Sequence, residues 1–261
     1  MSTSQRYRLD VAYDGSEFAG WQVQPNQSTI QGELERSLQE LSGQHTRVEA
    51  SGRTDTGVHA RGQVAHFDWP AGVMPDRKLL VALNALLPAA IRVLRVRQVP
   101  EAFHARFSAT GKEYRYFIDN GPVRHPIERH YRTWVRDRLD ESAMQSAAVL
   151  LQGEHDFAAF TANPNREVDG TVRELRILTV RRQGRLLTIR AAGNGFLYKM
   201  VRSLAGYLIR VGRHEIEPDT ATAILASKTR TARVPTAPPE GLFLWKVEYA
   251  KAGTKDFIFP E

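Results

Sequence analysis

The chain has 261 residues, with 36 Lys and Arg against 29 Asp and Glu and a formal net charge of +7. Its hydrophobic share of 42% and charged share of 25% are those of an average globular protein, which excludes a disordered, collagen-like or coiled-coil chain. The length corresponds to one large domain or two smaller ones. The lack of cysteine excludes disulfides, thiolate catalysis and Cys-ligated metals. Any chemistry must therefore come from oxygen and nitrogen groups.

The sequence carries no sign of export or of a membrane anchor. Its first residues lack the basic start, the apolar stretch and the cleavage site of a secretory signal, which predicts a cytoplasmic protein. The longest apolar stretch, 79–91, has 13 residues and is interrupted by Asn84 and Pro88. A bilayer span needs roughly 20 residues, so we expect no membrane helix and no membrane partner.

Positive charge is concentrated in the second half of the chain. Residues 1–107 hold 12 basic and 11 acidic residues, whereas 108–261 hold 24 and 18. Arg accounts for 29 of the basic residues, and its planar guanidinium suits phosphate contacts and base stacking. The pattern favours a nucleic acid as partner. A GC-rich genome produces the same Arg bias, however, and net charge alone identifies no ligand.

Strand and helix patterns alternate in the first half. Alternating apolar residues predict four strands, over 6–14, 46–51, 63–69 and 91–99. Helical spacing predicts a first helix between the capping residues Ser28 and Gly43, with Gln31 completing a capping box. A second helix is predicted over 76–87, where Pro88 stops it. The order is therefore β-α-β-β-α-β.

The second half also combines predicted strands and helices. Strands are predicted over 113–118, 131–135, 172–182, 186–192 and 242–249. Helices are predicted over 140–151, 197–211 and 219–226. Mixed connection lengths predict an α+β fold, in which two similar halves form a mixed, largely antiparallel sheet flanked by helices around a central cleft. We expect an N-terminal domain over 1–107, a C-terminal domain over 108–249 and a polar tail over 250–261.

Most general catalytic signatures are absent from the sequence. It contains no GxxxxGK[ST] phosphate loop, no GxSxG nucleophile turn and no HExxH zinc motif. The nearest grouping of histidines, His59 and His66 with Asp55 and Asp68, lacks the spacing of a metal site. We therefore predict no metal.

One run, EASGRTDTGVHA, carries a more specific signal. Its Asp55 stands between two glycines, after a predicted strand and two residues from Arg53. A neighbouring cation favours the ionised carboxylate, which in a tight loop is able to act as a nucleophile. On spacing alone, the alternative is that Thr54 or Asp55 caps a helix while the glycines shape a turn.

The run GRTDTGVHARGQVAHF resembles the signature of the TruA-type tRNA pseudouridine synthases, in which the aspartate is catalytic. Four other segments resemble this family in the same order along residues 7–249. They are YDGSEFAGWQVQPNQSTIQGELE, HARFSATGKEYRYFI, NGFLYKMVRSLAGYLIRVG and PPEGLFLWKVEY. Two positions differ from the usual pattern: Thr56 replaces a common alanine, and Gly170-Thr171 replaces a common Arg-Thr pair.

The resemblance implies three catalytic residues. Asp55, in the N-terminal domain, would attack C6 of the base or C1′ of the sugar, or follow a glycal route. Arg202, on a helix of the C-terminal domain, would pair with that carboxylate. Tyr114, on a strand of the same domain, would stack on the target uracil and take part in removing the C5 proton. The ordinary pKa of tyrosine is about 10, so a proton role needs a perturbed site or a relay.

Three further residues are expected at the substrate. Arg53 would steady the loop or touch RNA phosphate, and His59 and Phe107 would form walls of a pocket. Without the resemblance, Arg202 is a solvated surface arginine, and Phe107 and Tyr114 are ordinary packing residues.

The resemblance also implies a substrate and an assembly. We expect a homodimer that binds tRNA and converts uridines 38, 39 and 40 of the anticodon stem-loop to pseudouridine without any cofactor. The target uridine must be extruded into a pocket. The alternatives are a non-catalytic RNA-binding protein and, further away, a metal-dependent nuclease.

Overall fold

The computed structural model describes residues 4–70, 74–163 and 170–250. The strands in these ranges are β1 (Ser4–Tyr13), β2 (Glu49–Ala50), β3 (His59–Pro70), β4 (Ile91–Gln98), β5 (Ala109–Asp119), β6 (Thr133–Trp134), β7 (Gly153–Asp156), β8 (Val172–Gln183), β9 (Leu186–Gly193) and β10 (Leu242–Tyr249). The helices are α1 (Ile30–Ser42), α2 (Asp76–Leu86), α3 (Glu141–Leu150), α4 (Met200–Gly212) and α5 (Thr220–Ser227). The expected tail lies outside the described residues after residue 250. Of the helices in these ranges, none is both long enough and apolar enough to cross a membrane.

The strands form one sheet with the main order β4-β1-β3-β10-β5-β9-β8-β7, while β2 pairs with β3 and β6 with β5. The pairs β3/β10 and β5/β6 are parallel. The remaining pairs are antiparallel. The predicted α+β fold, a mixed and largely antiparallel sheet flanked by helices, is therefore confirmed.

The last strand joins the two halves of the sheet. On β10, Leu244 lies opposite Ala60 of β3 on one side and opposite Tyr114 of β5 on the other. Neighbouring strands lie about 4.8 Å apart, so this pairing determines the distance between the start of β3 and the middle of β5. Because β3 begins directly after the loop 51–58, the loop comes to the centre of the sheet.

The apolar side chains of helix α1 pack into the core, as their helical spacing predicts. Ile30, Leu34 and Leu38 are fully buried, and burying each such side chain contributes about 1.5–3 kcal/mol. The predicted capping residue is wrong by one position, because Thr29 rather than Ser28 accepts the N–H of Gly32. The helix ends as predicted at Gly43, whose φ of 72° is left-handed.

Strand lengths were the least accurate predictions. The strand predicted over 63–69 begins earlier, at His59, because its first residues pair with β10. The strands predicted over 46–51 and 131–135 shrink to two residues each, since only those residues find a partner strand. No sequence pattern predicted β7, which among the described strands pairs with β8 at the edge of the sheet.

Candidate active site

The site is built around the loop 51–58 between β2 and β3. The alternative that Thr54 or Asp55 caps a helix is wrong, because the loop leads directly into β3. Its turn is closed by the Val58 N–H, which donates to the Asp55 carbonyl at 3.1 Å. Gly57 has a φ of 75°, a conformation that glycine adopts without the strain of a side chain. The loop therefore exposes Asp55 at the tip of a tight turn.

Side chains of β1 and β3 hold the loop from one side. Gln63 donates to the Gly52 carbonyl at 2.8 Å and accepts from the Ser51 hydroxyl, also at 2.8 Å. The hydroxyls of Tyr13 and Thr54 bond at 2.8 Å. Burial raises the pKa of Tyr13 to about 12, so this hydroxyl keeps its proton. Such a hydrogen-bonded frame holds a functional loop in one conformation.

The segment after β1 packs against the opposite side of the loop. The backbone N–H of Trp21 donates to the Thr54 carbonyl at 3.0 Å. At the preceding Gly20, φ is 93° and a Cβ atom would lie 2.7 Å from the same carbonyl oxygen. Only glycine fits this approach. No sequence pattern identified Gly20 or Trp21 as site residues, although both lie in the YDGSEFAGWQVQ segment.

Asp55 forms an ion pair with Arg202. Arg202 Nη1 lies 2.8 Å from Asp55 Oδ2, and the side chains are only 12% and 25% exposed, respectively. The same guanidinium donates through Nε to the Ala237 carbonyl at 2.8 Å, while the Ala237 N–H donates to the Arg202 carbonyl at 3.0 Å. Arg202 therefore lies inside the protein beside Asp55, and both its guanidinium and its backbone carbonyl are hydrogen-bonded to Ala237.

A close approach of two segments makes this arrangement possible. One turn after Arg202, a Cβ atom at Gly206 would lie 2.1 Å from the Pro235 carbonyl oxygen. Glycine therefore allows the segment before β10 to lie directly on α4. This contact presents the Ala237 carbonyl to Arg202.

Tyr114 lies on β5, on the same strand face as Tyr116. Its ring is buried and packs edge-on against Phe196 at a centroid distance of 5.0 Å. Burial, with the neighbouring Tyr13 and Asp55, raises the pKa of Tyr114 above its ordinary value. Its phenol is therefore neutral at physiological pH. Tyr116 is fully buried and bonds Thr133, so its role is to pack.

Asp55, Tyr114 and Arg202 line one open cleft of about 1330 Å³. The cleft is strongly cationic. The cationic residues that line it are Arg47, Arg53, Arg106, Lys112, Arg173, Lys199 and Arg202, against the carboxylates of Glu49 and Asp55. Such a wall attracts an anionic ligand.

Two of the three expected substrate residues reach this cleft. Arg53 is exposed and lines it. Phe107 also lines it and is 76% exposed, so the alternative of core packing is wrong. Its ring packs on His104 at 4.4 Å. An exposed aromatic ring beside cationic side chains suits base stacking.

His59 lies elsewhere. It is only 1% exposed, its ring stacks on Phe243 at 4.5 Å, and its Nδ1 accepts the Gly15 N–H at 3.1 Å. It is not among the residues that line the cleft. Burial lowers the pKa of His59, so it is a neutral packing residue beneath the sheet end. His59 is the first residue of β3. Because side chains alternate between the two faces of a strand, His59 points to the face opposite that of Ala60.

His59 and His66 with Asp55 and Asp68, for which the sequence predicted no metal, are not a set of described residues whose ligand atoms come together as a group. Among the described residues, Glu49, His66 and His104 have ligand atoms within 4.8 Å of one another. His66 Nδ1 accepts the Ala105 N–H and His104 Nδ1 accepts the Arg106 N–H. The proton of each ring therefore lies on Nε2, where a metal requires a lone pair. This group is a hydrogen-bonded cluster.

The family of the chain follows from comparison with known proteins. Residues 11–108 and 147–250 match the sequence model of the tRNA pseudouridine synthases. The chain belongs to this family. The matched segments include Asp55 and Arg202, whereas Tyr114 lies between them.

Individual relatives agree over nearly the whole chain. It is 46% identical to tRNA pseudouridine synthase A of Bacillus pumilus over 246 residues, which are 94% of this chain and 99% of that protein. It is 45% identical to the protein of the same name from Brevibacillus brevis, over 94% of this chain and 100% of that protein. For Halalkalibacterium halodurans the identity is 47%, over 91% and 90% of the two chains.

The ion pair predicts a measurable coupling in stability. Replacing Arg202 by Met leaves the half-buried Asp55 carboxylate without its cation, and we expect the free energy of unfolding to fall by about 1–3 kcal/mol. In the Asp55→Asn background the same replacement costs less, because the amide carries no charge. The bond to Ala237 is lost in both backgrounds and cancels in the double-mutant cycle. Urea unfolding measures all four proteins, and equal costs in the two backgrounds would contradict the coupling.

Proposed function

We propose that this protein converts uridine to pseudouridine in tRNA, at positions 38, 39 and 40 of the anticodon stem-loop. The observation that carries the proposal is the carboxylate of Asp55, held by Arg202 at the tip of a rigid loop in a cationic cleft. Membership of the tRNA pseudouridine synthase family supports the reaction. The positions come from the resemblance of the motifs.

The reaction needs few chemical groups. The C1′–N1 bond breaks, the uracil turns while it stays bound, C1′ joins C5, and the C5 proton leaves. No electrons are exchanged with a second molecule and no group is transferred to one. The chemistry therefore requires neither nicotinamide nor ATP, and a carboxylate nucleophile replaces a metal-activated one.

Asp55 is proposed as the nucleophile. Its negative charge is stabilised by the guanidinium of Arg202 at 2.8 Å, and its second oxygen, Oδ1, remains for the substrate. Attack at C6 of the base, attack at C1′ of the sugar and the glycal route all begin from this ionised group. Arg202 is proposed to keep Asp55 ionised and to aim it.

Tyr114 is proposed to stack on the uracil. Its raised pKa means that it does not serve as a free phenolate. A neutral phenol is still able to pass a proton between C5 and a second acceptor, and the Asp55 carboxylate is close enough to raise the Tyr114 pKa. The proton role we propose is therefore a relay, in which the hydroxyl accepts the C5 proton as it gives up its own.

The two halves of the chain are proposed to act as two domains around the cleft. Residues 1–107 contribute the Asp55 loop, and residues 108–249 contribute Tyr114 and Arg202. The anticodon stem-loop lies across both, with its phosphates on the cationic wall. Phe107 at the mouth is placed to stack on a base next to the extruded uridine.

We further propose that the protein is a cytoplasmic homodimer. Large apolar side chains are exposed in the segment after β5 and on β6, at Val123 (72%), Ile127 (75%), Tyr131 (42%) and Trp134 (36%). An exposed apolar patch of this kind marks an interaction site. Sedimentation velocity without RNA is expected to show a species of about twice 29.4 kDa, and a monomer at micromolar concentration would contradict the dimer.

Replacing Asp55 by Asn tests the reaction and the nucleophile together. We expect the native protein to release tritium from C5-labelled uridine in an unmodified tRNA transcript, with chelator present and with the label mapped to positions 38 to 40. Asp55→Asn is expected to release none, because an amide does not attack. It should still bind the transcript, since the cationic wall is intact and binding is dominated by phosphate contacts that weaken with salt.

Asp137→Asn is the matched control, because this exposed residue is not among those lining the cleft, and its activity should equal that of the native protein. Binding without release by both the native protein and Asp55→Asn would replace the enzyme with a non-catalytic RNA-binding protein. Strand cleavage that stops in chelator would instead indicate a nuclease.

Tyr114 variants separate stacking from proton transfer. Tyr114→Phe keeps the ring but loses the hydroxyl, and we expect kcat to fall by about 10²- to 10⁴-fold with little change in KM. Tyr114→Ala also loses the ring, so KM should rise as well, since stacking on one base contributes about 1–3 kcal/mol. Single-turnover and steady-state kinetics on a tRNA transcript measure both. A Tyr114→Phe protein with native kcat would show that the hydroxyl takes no part.

A further inference from the structure

A lysine that the proposed reaction does not use lies in the same cleft. Lys112 is on β5, two residues before Tyr114, and therefore on the same face of that strand. Its side chain reaches beneath the catalytic loop, where Nζ donates to the Ser51 carbonyl at 2.7 Å. The ammonium thus contacts the first residue of the loop that carries Asp55.

The loop is shaped around this ammonium. At Gly52, a Cβ atom would lie 2.8 Å from Lys112 Nζ and 3.6 Å from Cε. Any other residue at position 52 would displace the lysine. The absence of a side chain here leaves the ammonium facing the cleft.

The side chain of Lys112 brings a positive charge into the cleft. Among the described residues, no carboxylate forms an ion pair with its ammonium. Burial, with repulsion from Arg106, lowers the pKa of Lys112 to about 8. An uncompensated buried charge costs free energy, and an anionic ligand in the cleft would remove that cost.

A tRNA substrate carries anions to this place. The uridine bound against Asp55 has a backbone phosphate on each side, and these phosphates must lie along the cationic wall of the cleft. Three N–H groups of an ammonium are available as donors. Ser51 uses one, which leaves two for phosphate oxygens.

We propose that Lys112 binds a backbone phosphate next to the target uridine and so positions the nucleotide against Asp55. The proposal rests on the proposed function, because it needs an RNA substrate. Lys112 is a positioning residue, and the part it plays is to recognise the backbone and not the base.

The proposal predicts a dependence on pH. Other charged or titratable groups line the same cleft and define its field: Glu49 and Arg47 at β2, Arg53 and Asp55 on the loop, His104 and Arg106 before β5, Tyr114 on β5, Arg173 on β8, Tyr198 before α4, and Lys199 and Arg202 at α4. In the free protein the Lys112 proton is present below pH 8 and is lost above it. Only the protonated form binds phosphate strongly, so KM should be nearly constant well below pH 8 and rise by about fivefold between pH 7 and 9.

Three variants separate charge from hydrogen bonding. Lys112→Gln keeps a donor for the Ser51 carbonyl but has no charge, and we expect its KM for a tRNA transcript at pH 7 to be about tenfold higher with kcat within threefold. Its KM should not change between pH 7 and 9. Lys112→Arg keeps the charge at every pH, so its KM should stay near the native value and show no alkaline rise. Lys78→Gln on α2 is the matched control for the loss of one charge, and its kinetics should be native.

The phosphate itself is tested with a modified anticodon stem-loop. A neutral methylphosphonate is placed at the phosphate 5′ or 3′ of the target uridine. One of the two should weaken binding to the native protein and to Lys112→Arg by about tenfold, yet cost Lys112→Gln little. Thermal unfolding confirms that each variant is folded. The pH dependence of KM is measured on the native protein and therefore requires no substitution.

Each other result overturns the proposal. A Lys112→Gln protein with native KM, or one in which kcat alone falls, would show that Lys112 only supports the loop. An equal methylphosphonate effect in the native and Lys112→Gln proteins would exclude the phosphate contact. Both results leave pseudouridine formation by the native protein intact, so failure of this inference is distinguishable from failure of the proposed function. Filter binding tests Lys112 even if turnover is absent.

Discussion

The ion pair between Asp55 and Arg202 is the interaction on which the rest of the site depends. It joins residues 147 positions apart in the sequence, and both side chains are mostly buried. The guanidinium balances the negative charge of a carboxylate that is largely removed from water. The frame of Tyr13 and Gln63 holds the carboxylate, while α4 and the Ala237 segment hold the cation. Neither half of the chain completes the pair alone.

The central position of β10 makes this pairing possible. Because β10 lies between β3 and β5, the C-terminal residues of the chain tie the start of β3 to the strand that carries Tyr114. The segment that leads into β10 also lies on α4, where Gly206 admits the Pro235 carbonyl. The same stretch of chain therefore sets the distance from Asp55 to Tyr114 and the orientation of Arg202. The geometry of the site is a consequence of sheet order.

The side chains that line the cleft fall into two groups, which differ in charge and in burial. Most of the charged side chains that line it are cationic, whereas the side chains of Tyr114 and Arg202, which we propose to act in the reaction, are largely buried. The raised pKa of Tyr114 keeps its phenol neutral beside the Asp55 carboxylate. A neutral ring and a single ionised carboxylate fit a reaction that moves one proton and no electrons. The outer cations are the groups that we propose to bind an RNA backbone.

Several site residues were predictable because their signal is local. The glycines around Asp55 indicate a tight loop, and the alternation on β5 places Tyr114 and Tyr116 on one face. Other predictions failed where the signal was ambiguous. His59 directly follows the loop 51–58, yet strand alternation turns it away from the cleft, and the start of β3 was set by pairing with β10. Gly20 and Lys112 were not predicted as site residues, because each contacts a residue that is distant in the sequence.

By itself, the sequence determined most of the element order, the α+β class, the loop that carries Asp55 and the cationic character of the second half, because apolar periodicity, turn residues and charge are local properties of a chain. Only the tertiary structure decided that Arg202 faces Asp55 and not solvent, that Phe107 is exposed and that Lys112 lies beneath Gly52. Those facts depend on strand order and on close backbone approaches between distant segments. Such contacts are set by three-dimensional packing, which no short stretch of sequence contains.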